Sequence, residues 1–156
     1  MKKLTMLLCL ISAAVLSTQA FAREVVLTTE LKSYGGDGAY LAIYLTDAEG
    51  QYQETLWVAG QKSKYYKHLV GWARASRLRS SEYDGITGAS ITSGKTLTVT
   101  LELADRYIDS GFQLRVDSSV EDMRDNRNDV VVPLTSEGAG KPVAGSGYIK
   151  VFSYSL

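Results

Sequence analysis

Asp84-Gly85-Ile86-Thr87-Gly88-Ala89-Ser90, followed by Ile91-Thr92-Ser93, is the stretch best composed for chemistry. It is small, rich in hydroxyls and carries one carboxylate. A hydroxyl that is to be modified must be exposed, and its neighbours must be small enough to allow approach. Gly88 and Ala89 meet that requirement beside Ser90, and glycine lets the backbone turn without a Cβ clash. The plain alternative is a polar hairpin, because Asp84-Gly85 is itself a good turn pair.

Other chemistries have thinner support. Cys9 is the only cysteine and His68 the only histidine, so a zinc or copper site is not expected. No G-x-S-x-G context accompanies His68, which argues against a Ser-His-Asp hydrolase and for a surface or half-buried histidine. Glu121, Asp122, Asp125 and Asp129 lack the EF-hand spacing and are interrupted by Arg124 and Arg127, so residues 121–129 read as a solvated charged loop. Lys64, Lys67, Arg74, Arg77 and Arg79 form a basic face that reads first as solvated. Trp57 and Trp72 read first as core residues, with stacking on a ligand ring as the alternative.

The N-terminus bounds the compartment. Lys2 and Lys3 precede an apolar run over residues 4–16, and Ala20-Phe21-Ala22 fits a small-x-small cleavage site. Residues 1–22 are therefore expected to be a signal peptide and residues 23–156 one β-rich domain, periplasmic or secreted. Cys9 would leave with the signal, and no second hydrophobic span follows, so the mature protein is not expected to be membrane-embedded. With 17 basic against 17 acidic residues, nothing points to nucleic acid.

These residues need a scaffold, and the pattern for it is mainly β. Val25, Leu27, Thr29 and Leu31 alternate with more polar neighbours, as do Leu97, Val99, Leu101 and Leu103. Residues 41–45 and 52–58 flank the turn Asp47-Ala48-Glu49-Gly50 as a hairpin. Phe112, Leu114 and Val116 predict another strand, and residues 130–134 a short one. Residues 148–156 are apolar on both faces, which predicts a central strand, after a flexible Gly/Ser/Ala-rich connection at 135–146. Tyr65, Leu69 and Trp72 at i, i+4 and i+7 predict one amphipathic helix over about 63–79, with Ser63 as its cap. The expectation is a β-sandwich, Ig-like or similar, with one inserted helix.

Two resemblances sharpen the reading. The pattern Asp84-x-x-Thr87-Gly88-Ala89-Ser90 resembles the acceptor motif of bacterial envelope flavin transferases, which move FMN from FAD to a Ser or Thr hydroxyl. The resemblance implies covalent FMN on Ser90. Thr87 would bond within the loop or to the phosphate, and Asp84 would cap the turn or contact the transferase and its metal. It also gives the basic face an alternative role, neutralising the FMN phosphate near Ser90. Acceptors in that motif are more often Thr. Residues 40–90, with Asp47, Gly50, Leu56, Trp57, Trp72 and the motif, also resemble the predicted periplasmic domain-of-unknown-function family 2271, whose members often accompany PepSY-type membrane redox proteins. The implied role is an electron carrier or accessory domain served by a flavin transferase, rather than a stand-alone enzyme. The alternative is a cofactor-free periplasmic binding module.

Overall fold

The computed structural model describes residues 21–156. The signal-peptide features at Lys2, Lys3 and Cys9 lie outside the described residues. Two sheets face each other. One has the order β5-β1-β8, built from β1 (Ala22–Leu31), β5 (Thr96–Ala104) and β8 (Ile149–Ser155). The other has the order β4-β3-β2-β6-β7, from β2 (Tyr40–Thr46), β3 (Tyr52–Ala59), β4 (Thr87–Gly88), β6 (Gln113–Ser119) and β7 (Asn126–Pro133). The fold is thus mainly β and sandwich-like.

The period-2 patterns explain the inner faces. Val25, Leu27 and Leu31 point inward from β1, and Val99 and Leu103 from β5, against Leu41, Ile43, Leu114 and Val116 of the other sheet. The β2–β3 hairpin forms as expected. The Asp47 carboxylate accepts from the N–H groups of Glu49 (3.0 Å) and Gln51 (2.8 Å), and Gly50 takes the positive φ of +80° that closes the turn.

A second core lies on the outer face of the larger sheet, where Tyr66, Leu69 and Trp72 pack on Ala42, Tyr44 and Val58. The single helix expected over 63–79 is divided. A 3-10 segment (Ser63–His68) stops at Leu69, whose ψ of 70° is not helical, and α1 (Val70–Ser76) follows. Ser63 is not the cap; Lys62 holds that position without a side-chain bond. The start of α1 is capped from another element instead. Asp117 of β6 accepts the Trp72 N–H at 2.8 Å, beside Gly71, where a Cβ would lie 2.8 Å from the same carboxylate.

Three further expectations are corrected. β8 is an edge strand, not a central one. A bulge at Glu30/Leu31 shifts its register, which turns both Ile149 and Phe152 inward and gives the sequence its two-faced look. The connection at 135–146 covers that edge: Val143 and Phe152 exchange two 2.8 Å backbone bonds, and Gly140 N–H donates to the Tyr154 carbonyl at 2.7 Å. The stretch 121–129 is not wholly a solvated loop. β7 begins at Asn126, and buried Asp129 accepts from Ser118 Oγ and from the N–H groups of Gly147 (2.7 Å) and Ile149 (3.2 Å).

Candidate functional site

The motif loop starts where α1 ends. Arg77 and Leu78 adopt positive φ, and the chain reverses into a short 3-10 turn at Ser80–Glu82. Glu82 fixes that turn, since Arg79 (2.7 Å) and the Tyr52 hydroxyl (2.6 Å) both donate to its carboxylate. Tyr83 then packs edge-on against Tyr66 and Trp72, with ring centroids 5.1 and 6.0 Å away. Ile86 N–H bonds back to the Tyr83 carbonyl, with Gly85 at φ +82°. The Asp84-Gly85 pair is therefore a turn, as its composition suggests.

From there the loop joins the sheet edge. Val58 N–H donates to Ile86 (3.0 Å) and Gly60 N–H to Gly88 (2.7 Å), which makes β4 a parallel partner of β3. Gly88 lies flat on the Trp57 indole; a Cβ there would come within 2.6 Å of the ring. Three residues later the chain is caught again, when Ile91 and Ala39 exchange backbone bonds of 2.9 and 2.7 Å. Ala89 and Ser90 thus form a two-residue span between fixed anchors, and both are exposed.

Asp84 and Thr87 are exposed as well, and neither side chain bonds another group among the described residues. Ser93 is structural: its hydroxyl accepts from the N–H groups of Tyr34 (3.0 Å) and Gly35 (3.2 Å). Trp72 is a core residue as expected, with Nε1–H donating to Thr55 at 2.8 Å. Trp57 is only half-buried, and its buried Nε1–H has no partner among the described residues.

Ser90 lines a cavity of about 500 Å³. Tyr40 at the start of β2, Tyr65 and His68 of the 3-10 segment, and the β6–β7 turn form its walls. Two hydrogen bonds tie the walls together. Tyr65 donates its hydroxyl to Glu121 at 2.9 Å, and His68 Nδ1–H donates to Asp125 at 3.1 Å. The other oxygen of Asp125 accepts from Ser119 Oγ at 2.7 Å. Ser119, Asp125 and His68 do not have the order of a hydrolase triad, because the serine reaches the acid and not the histidine. His68 is half-buried, as expected for a lone histidine.

None of the five basic residues singled out in the sequence lines the cavity. Lys64 sits over the Tyr65 ring at 4.8 Å, and Arg79 is paired with Glu82. The lysine on the lining is Lys62. Sequence reasoning also missed Tyr40 and the segment Gly35-Gly36-Asp37-Gly38. The run of glycines was the available signal, since glycine marks close approach. A Cβ on Gly38 would stand 2.6 Å from Ser90 Oγ.

A protein-family model, described as predicted periplasmic protein (DUF2271), matches residues 22–151. The chain belongs to this family. The match to DUF2271 runs well beyond the stretch at 40–90 that carries the resemblance in sequence, and takes in every strand but the end of β8, the motif loop and every wall of the cavity. DUF2271 proteins are predicted to be periplasmic, which agrees with the compartment expected from the N-terminal sequence. No curated protein and no solved structure matched the chain.

Proposed function

We propose that this periplasmic DUF2271 protein carries FMN as a phosphoester on Ser90 and exchanges electrons with a membrane redox partner, of which the PepSY type is the candidate. The observation that carries the reading is the placement of Ser90, an exposed hydroxyl between two backbone anchors on the lining of a cavity of about 500 Å³. Cofactor sites have volumes of roughly 300–1,000 Å³ and a few polar groups among apolar ones. Gly38 brings no Cβ against the hydroxyl, and Ala89, next to Ser90, carries only a methyl.

Charge around the site is mixed. Lys62 faces Asp37, Glu121, Asp122 and Asp125 on the same lining. Glu121 is engaged by Tyr65, and Asp125 by His68 and Ser119, so both carboxylates have work within the walls. Among the described residues, Lys62 is the lysine on the lining that could meet a phosphoester. Exposed Asp84 and Thr87 stand ready for the transferase rather than for the loop's own bonding. Bound flavin supplies one- or two-electron transfer; the chain's residues tether and orient it.

The test is the intact mass of protein exported from a cell that contains the flavin transferase. The expected result is a gain of one FMN, absent in Ser90→Ala and kept in Ser90→Thr. An unshifted mass, or a gain that survives Ser90→Ala, overturns the reading. The cofactor-free binding module draws support from the carboxylates and tyrosines that share the lining, and it predicts a colourless protein.

A further inference from the structure

We infer that the cavity beside Ser90 is the seat of the flavin's isoalloxazine ring, with Tyr40 and Tyr65 as its aromatic wall. The inference rests on the attachment of FMN to Ser90 and adds where the tethered ring lies. A phosphoester alone would leave the ring free in solvent. Here the attachment oxygen belongs to a residue that already lines a cavity of the right size class.

The cavity is held open by the fold itself. The Tyr65–Glu121 and His68–Asp125 hydrogen bonds span from the 3-10 segment to the β6–β7 turn, and Ser119 braces Asp125. The tyrosines are placed just as firmly. Their rings meet edge-to-face at 5.5 Å, and Tyr40 lies so close to Gly60 that a Cβ there would overlap the ring. A flat heteroaromatic ligand gains most from such preorganised aromatic faces. The rest of the lining pairs an apolar side, Val120 and Met123, with a polar one of Lys62, His68, Ser119 and four carboxylates, which as acceptors suit the N–H edge of the ring.

Tyrosine in contact with an excited flavin donates an electron to it and quenches its emission, whereas phenylalanine does not. Emission of the FMN-loaded full chain, its mass verified, should be several-fold weaker in the native protein than after unfolding in denaturant. Tyr65→Phe and Tyr40→Phe should each recover part of the native emission, and the double variant most of it. Tyr40→Phe is the cleaner variant, because the Tyr40 hydroxyl makes no hydrogen bond among the described residues and both bridging bonds stay intact. Native emission as strong as unfolded emission, or quenching that neither variant relieves, overturns the ring seat and leaves the attachment standing. A chain with no added mass overturns both.

Discussion

At the scale of single residues, the site depends on atoms that are absent as much as on those present. Ser90 is free because Gly38 presents no Cβ to it, and Gly88 can lie on Trp57 for the same reason. Gly38→Ala tests this directly. The new methyl would stand 2.6 Å from Ser90 Oγ, closer than side-chain carbons approach, so the hydroxyl must swing away from its present position. Gly38 is not one of the glycines that need positive φ, so alanine strains no backbone there. The expected outcome is a thermal midpoint close to that of the parent, with the yield of FMN attachment clearly reduced when both proteins are exported beside the transferase. An undiminished yield would mean that the orientation of Ser90 in the resting loop does not matter to the transferase.

At the scale of elements, side chains distant in sequence decide where local structure starts and stops. Asp117 on β6 accepts from Trp72 N–H (2.8 Å), Asn128 N–H (2.8 Å) and the Tyr44 hydroxyl (3.2 Å), and so joins α1, β7 and β2 through one buried carboxylate. Removing it strands the Trp72 and Asn128 N–H groups and leaves the Tyr44 hydroxyl only its longer bond to Asn128 Oδ1 (3.4 Å). Asp117→Ala should therefore cost on the order of 3 kcal/mol in urea unfolding. Asp117→Asn keeps one acceptor oxygen and should cost less. A loss near zero for the alanine variant would show that the start of α1 finds other partners.

The same residue explains what could be read from the sequence and what could not. Alternation in Val25–Leu31 and Leu97–Leu103 is a local signal, and the strands lie where it puts them. The hairpin at Asp47–Gly50 and the turn at Asp84-Gly85 are written in turn residues. The break at Leu69 is different, because α1 starts on a carboxylate 45 residues from Trp72 in the chain. The spacing of Tyr65, Leu69 and Trp72 marked Leu69 and Trp72 rightly, but it carried no sign of that partner, and the break sets Tyr66 beside them in the outer core and turns Tyr65 to the cavity. Asp129 was misread for a similar reason: charge in a hydrophilic stretch suggests solvent, while its donors come from residues 118, 147 and 149. In the site, the contiguous motif was legible. Tyr40, Lys62 and the β6–β7 turn were not, since only the packing of distant segments brings them to Ser90.

At the scale of the whole molecule, the chain carries ten tyrosines, and folding draws many of their phenols out of water. Burial, the largest cause in each case, raises the pKa of Tyr34, Tyr44, Tyr52, Tyr66 and Tyr148, with Tyr44 and Tyr52 pushed furthest. At Tyr44 the Asp117 carboxylate adds to the effect, and at Tyr52 the Glu82 carboxylate does. Each of these two phenols must keep its proton to donate to its carboxylate. The folded chain therefore holds protons that the unfolded chain releases above the ordinary tyrosine value, about 10. Folded protein binding more protons than unfolded means that stability falls as pH rises. The stabilisation is complete below that value and drains away as pH climbs through the higher folded-state values. We expect the urea midpoint to drop steeply above about pH 10, the point at which free tyrosine is half ionised. Tyr44→Phe and Tyr52→Phe should each lose about 1 kcal/mol at neutral pH, the worth of an ordinary hydrogen bond, and each should make the alkaline decline shallower. Absorbance of tyrosinate, followed through the same unfolding, should rise together with the loss of folded signal. If the decline keeps its slope in both variants, the protons that govern it belong to other groups, and the two phenol–carboxylate pairs tying the outer core to the larger sheet are not the alkaline weak point.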